Sequence, residues 1–169
     1  MILEGSSQSI VIDATALIDF LHSETSILPL ISKHLGQLHV TRPVLEEVDD
    51  LHECQCKPLR ITIVDLTLDQ YREADSLVGS LSLEDCTCFI LARDKDWLCI
   101  TNDKRLRSEC FQHGIDCLWG LETIVKLVQS LVLAPSEAYT IGKKIHQLNP
   151  FINQGIFEDF CRLIGVDWY

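Results

Sequence analysis

Residues 9–20, SIVIDATALIDF, decide the fold. Ser9–Asp13 is a short β-branched apolar run that ends on a carboxylate. From Ala14 the spacing becomes helical, with Ala16, Leu17 and Phe20 on one stripe. A strand that passes directly into a helix opens a βαβ unit, in which the next strand returns parallel to the first. Working outward, the alternation repeats. Helical text over 26–35 ends at Gly36, Leu38–Thr41 reads as a strand, and Pro43 opens a helix expected to run to His52.

Arg60–Leu66 is the third strand-like run, followed by a helix over 67–81 with Thr67 as N-cap and Gly79 near its stop. Ser82 then starts Leu83–Asp96, apolar nearly all round and expected to be buried. Trp97–Thr101 is a strand, Asn102–His113 a helix stopped by Gly114, and Ile115–Trp119 a further strand. Residues 120–133, 135–148 and 151–164 read as helices. The expectation is one α/β domain of three layers (α/β/α) over 1–169, with a central parallel sheet and a helical extension at 121–169. Sheets of this kind take ligands at the carboxyl ends of their strands.

Composition narrows the function classes. The 169 residues are 47% hydrophobic and 23% charged, the balance of a soluble globular chain. The formal net charge of -11, from 25 acidic and 14 basic residues, argues against a broad cationic grip on nucleic acid. It is compatible with contact to phosphate through carboxylate-bound metal. No apolar run approaches the ~20 residues of a membrane span. The opening MILEGSSQS has neither the basic nor the apolar region of a signal peptide, so the expected address is the cytoplasm. The eight cysteines are then expected to be reduced core thiols. The pairs Cys54/Cys56 and Cys86/Cys88 are spaced more tightly than the ligand pairs of structural zinc sites.

Four acids stand out. Asp13 closes the first strand, and Asp103 follows Ile100, Thr101 and Asn102 in the same way; each can also serve as a helix N-cap. Asp85 is the third residue after Ser82, as in a capping box, yet Cys88, Phe89 and Ala92 continue its side of the helix, an apolar stripe. Glu47 borders the face formed by Val44, Val48 and Leu51, whereas Glu46 lies on the far side with Asp49 and Asp50; Glu47 is chosen and Glu46 held as the fallback. Acids at the ends of successive βα units fall where such a sheet collects ligands, and oxygen donors of this type suit Mg²⁺ or Mn²⁺.

In this order the motifs resemble those of the PIN-domain family of metal-dependent ribonucleases, which includes the VapC-type toxins. The matching residues are Asp13 with Thr15, Glu47 within VLEEV, Asp85 seven before Ala92, and Thr101 with Asp103, and the resemblance covers about residues 9–120. The tail is similar to that of a less characterised prokaryotic PIN subgroup, in which the helix after the last acid carries an Arg where this chain has Arg107. Where many relatives have a further acid after the last motif, this chain has Lys104, Arg105 and Leu106.

The resemblance implies a PIN-like fold and an endoribonuclease cutting single-stranded RNA, with Asp13, Asp85 and Asp103 on Mg²⁺ or Mn²⁺. Glu47 would hold a second ion or orient the attacking water. Thr15 and Thr101 are hydroxyl partners of the acids or of a phosphate, and Arg42, Lys104, Arg105 and Arg107 are candidate phosphate contacts. It further implies a small antitoxin partner and a homodimer. Two other classes fit the residues: a non-catalytic PIN-like interaction module, given the acidic surface and helical tail, and a phosphatase using Asp13 as nucleophile. The phosphatase class usually has a second Asp two residues on, where this chain has Thr15.

Overall fold

A computed structural model describes residues 8–167; most of the segment on which the signal-peptide reading rests lies outside the described residues. The strands are β1 (Ser9–Ile12), β2 (Gln37–Thr41), β3 (Ile61–Val64), β4 (Leu98–Ile100) and β5 (Cys117–Leu118). They form one all-parallel sheet in the order β3-β2-β1-β4-β5. The chain therefore builds outward from β1 in one direction and then returns to add β4 on its other side. The crevice between β1 and β4 is the topological switch point, the position where sheets of this kind bind ligands.

Helices flank the sheet: α1 (Ala14–Ser23), α2 (Ile27–His34), α3 (Arg42–Glu47), α4 (Glu53–Cys56), α5 (Leu68–Leu77), α6 (Leu83–Lys95), α7 (Lys104–Gln112), α8 (Gly120–Gln129), α9 (Pro135–Leu148) and α10 (Gln154–Leu163). Helix α6 packs on β1, β2 and β4 beside α3, α5 and α7, while α2 packs on β2 and β3 and α9 joins α1, α8 and α10. The apolar run Cys86–Ala92 of α6 is buried throughout, as a helix laid across a fully covered parallel sheet must be. Ile10, Val11, Ile12, Leu17 and Phe20 have no exposed surface, each contributing about 1.5–3 kcal/mol of burial if large and aliphatic or aromatic. The architecture is the α/β class expected, with the tail residues Phe157, Phe160 and Ile164 in the same continuous core as Ile10.

Capping follows the sequence: Thr67 accepts from Gln70 N–H at the start of α5, and Ser82 from Asp85 N–H at the start of α6. The helix expected over 43–52 is shorter. It ends at Glu47, and Val48 (φ -91°, ψ 101°) leaves helical geometry. Four carboxylates at Glu46, Glu47, Asp49 and Asp50 would crowd the negative end of that helix's dipole, while Val48 and Leu51 turn inward and are buried. Two glycines mark close approaches. A Cβ at Gly36 would lie 2.5 Å from the Gln8 carbonyl oxygen. One at Gly142 would meet the Phe160 ring, which seats α10 on α9.

Candidate functional site

The end of β1 and the end of β4 are tied at the backbone, Asp13 N–H donating to the Ile100 carbonyl at 3.0 Å. That bond holds Asp13 and the segment Thr101–Asp103 side by side at the switch point. The Asp13 carboxylate is completely buried and well supplied with donors. Its Oδ1 accepts from Ala16 N–H at 2.9 Å, capping α1, and from Thr15 at 2.9 Å. Its Oδ2 accepts from the same Thr15 hydroxyl at 2.8 Å and from Thr101 at 2.5 Å. Burial nevertheless wins: it lifts the Asp13 pKa to about 7 against the lowering effect of Ala16, Thr101 and Thr15, with the charge of Asp85 adding to the rise.

Asp103 caps α7 through one oxygen, Oδ1, which accepts from the N–H groups of Arg105 at 2.7 Å and Leu106 at 3.0 Å. Its own N–H donates to Thr101 Oγ1 at 2.9 Å. Asp85, half-buried in the first turn of α6, is raised above the ordinary carboxylate range by burial first and by the neighbouring charge of Asp103 second. Glu47, at the exposed end of α3, is also raised, by partial burial and then by Glu84 and Asp85. Glu46 instead acts on Tyr71, whose pKa it helps to raise after burial and Asp65. Asp85 is thus the hub: its charge is felt at Asp13 and at Glu47, and it feels Asp103.

The structure brings the four sequence-selected acids into one electrostatic neighbourhood. Among the described residues it does not draw three carboxylate oxygens within 4.8 Å of one another. The donor set is oxygen only, carboxylates with threonine hydroxyls behind them, which fits a hard divalent cation that keeps part of its water shell. Glu84 is an acid that reasoning from the apolar stripe passes over; it stands beside Asp85 and close enough to Glu47 to raise its pKa.

Asn102 and Asp19, outside every motif of the four acids, are joined to the site by hydrogen bonds. Asn102 N–H donates to Thr15 Oγ1 at 3.1 Å, its side-chain amide donates to Asp19 Oδ2 at 2.8 Å, and its Oδ1 accepts from Gly120 N–H at 2.9 Å. Asn149, the C-cap of α9, donates to both oxygens of Asp19 at 3.1 and 2.9 Å. Burial raises the Asp19 pKa against these two amides and the charge of His22. Adjacency of Asn102 to Asp103 was the available signal, but the long-range partners were not.

The basic candidates separate. Arg42 is engaged: its Nε and Nη2 donate to Asp65 at 2.8 and 3.2 Å and its Nη1 to Glu53 at 2.9 Å, so a phosphate would have to compete with two carboxylates. Arg105 reaches the Ser80 carbonyl at 3.3 Å. Arg107 lies over the Trp119 ring at 4.5 Å and 3.7 Å from Glu122, with its Nη1 buried and without a hydrogen-bond partner among the described residues. Lys104, Arg107, Ser108, Phe111 and Trp119 line a shallow cavity of about 320 Å³ on α7, just past Asp103. A second cavity of about 410 Å³, beside the His22–Asp50 pair, is lined by none of the four acids.

Fold and site together define a class: a parallel α/β domain with an acidic crevice at its switch point and a basic, aromatic hollow beside it. No protein-family model and no curated protein matches the chain.

Proposed function

We propose that this chain is a metal-dependent endoribonuclease of PIN type acting on single-stranded RNA. The observation that carries the reading is the electrostatic convergence of Asp13, Glu47, Asp103 and Glu84 on Asp85 at the crevice between β1 and β4. Burial, with the charge of neighbouring acids, holds Asp13, Glu47 and Asp85 above the ordinary carboxylate range, a cost that a cation relieves. Asp13, Asp85 and Asp103 would hold Mg²⁺ or Mn²⁺ directly or through water. Bound there, such an ion supplies Lewis-acid activation of water and neutralises charge developing on a phosphodiester.

The chain's own groups do the rest. Thr15 and Thr101 fix the Asp13 carboxylate in position, and Asp103 keeps Oδ2 outside its capping bonds. Glu47, exposed and raised in pKa, is suited to orient or deprotonate the attacking water. Lys104 and Arg107 offer positive charge to phosphate, and the exposed Phe111 offers a face on which an unpaired base stacks. An antitoxin and a homodimer rest on the resemblance alone.

One observation favours a second reading, a non-catalytic interaction module: Asp13 is wholly buried and its hydrogen bonds are satisfied within the chain. Incubation of the purified protein with single-stranded RNA and Mn²⁺ separates the two. Metal-dependent cleavage that Asp13→Asn abolishes supports the nuclease; equal cleavage by the variant, or none by either protein, removes it.

A further inference from the structure

We propose that Cys99, Cys110 and Cys117 form a binding site for a soft divalent d¹⁰ cation, with zinc the physiological choice. Their three sulfur atoms lie within 4.8 Å of one another. Thiolates on zinc at about 2.3 Å in tetrahedral arrangement stand about 3.8 Å apart, so a contraction of under about 1 Å closes the triad on an ion. The sulfurs are presented by three elements. Cys99 on β4 and Cys117 on β5 are register partners in adjacent parallel strands and leave the same face of the sheet. Cys110 meets them from α7.

The donor chemistry separates this site from the acidic crevice. Three thiols with no oxygen donor select thiophilic metals and reject Mg²⁺ and Mn²⁺. Three thiolates on a divalent ion leave one negative charge, which the guanidinium of Arg107, one turn before Cys110 on α7, would partly offset. Cys99 and Cys110 are fully buried, while Cys117 is half-buried and gives the ion its way in. With three protein ligands, water takes the fourth position. The ion would clip together β4, α7 and β5, the elements around Asp103 and Arg107.

The test uses the full chain, reduced and freed of metal, titrated with Cd²⁺ as the spectroscopic probe. The thiolate-to-cadmium charge-transfer band should saturate at one ion per chain and be displaced by Zn²⁺. Cys117→Ser should weaken binding about 100-fold, roughly one ligand's share of a structural zinc affinity, while the double variant Cys54→Ser/Cys56→Ser binds as the parent. On the unmodified chain, Zn²⁺ should protect Cys117 from iodoacetamide and leave the exposed Cys54 reactive, read by mass spectrometry. A band unchanged in Cys117→Ser, a band lost in the Cys54/Cys56 variant, or Cys117 labelling that Zn²⁺ does not slow overturns the assignment. The labelling result stands even where Cys117→Ser fails to fold. None of these outcomes depends on RNA cleavage.

Discussion

The Thr101 hydroxyl donates to Asp13 Oδ2 at 2.5 Å, joining the loop after β4 to the acid that ends β1. Thr101 Oγ1 in turn accepts from Asp103 N–H at 2.9 Å, so one buried side chain positions two of the candidate metal ligands. Thr101→Val keeps the shape and removes both bonds, leaving a buried carboxylate oxygen and a backbone N–H short of partners. The expected loss is about 2–4 kcal/mol of unfolding free energy in urea melts, with Thr101→Ser near the parent. A Thr101→Val protein as stable as Thr101→Ser would show the hydroxyl to be dispensable.

Asp13 makes stability fall as pH rises. Its folded pKa, about 7, lies above the ordinary 3.8 because burial disfavours the charged form. A raised carboxyl contributes its full share of stability below about pH 4 and loses it as the pH climbs through about 7. Asp13→Asn should flatten that slope, whatever its absolute stability, while losing activity at least about 100-fold. Urea melts of both proteins at pH 5 and pH 8 decide; parallel pH profiles count against a neutral-range pKa for Asp13.

The two adjacent glutamates of α3 should behave differently. Glu47 is coupled to Glu84 and Asp85, Glu46 to Tyr71. Glu47→Gln should lower Mn²⁺-dependent cleavage by about 10–100-fold and Glu46→Gln leave it within about twofold. The reverse ranking would transfer the role to Glu46.

Phosphate contacts should be legible in salt dependence. Arg107→Gln should reduce the slope of log affinity for single-stranded RNA against log salt by about 0.7, whereas Arg42→Gln leaves it unchanged because Asp65 and Glu53 already hold that guanidinium. Filter binding with an inactive Asp13→Asn background measures both. An equal reduction by the two variants would place Arg42 on the RNA.

A fourth region is testable without substrate. Gly142→Ala would set a Cβ 2.2 Å from a Phe160 ring carbon, and relief requires moving α10 on α9. A loss of about 1–3 kcal/mol is expected in thermal or urea unfolding. Gly142→Ala combined with Phe160→Leu should recover part of it.

What was readable from the chain was mostly local. Ser82 and Thr67 announce their helices because a cap is a contact across three residues, and the strand–helix passage at Asp13 follows from a change of period. The premature end of α3 at Glu47 was missed because an apolar stripe through Val48 and Leu51 imitates a continuing helix, although those side chains reach the core by a bend. Strand order carries no local signature at all. The pairing of β1 with both β2 and β4 is set by packing between distant segments, and with it the meeting of Asp13 and Thr101. The thiol triad was hidden for the same reason. Attention to close pairs such as Cys86/Cys88 selects cysteines of one helix, whereas the sulfurs that meet come from β4, α7 and β5.

The contacts of Asp19 give the C-terminal helices a mechanical meaning. Asn149 at the end of α9 and Asn102 beside Asp103 grip the same carboxylate. A tug on α9 is therefore delivered through two amides to the loop that carries an acid of the crevice. Whatever seizes the tail of this chain has a handle on its centre.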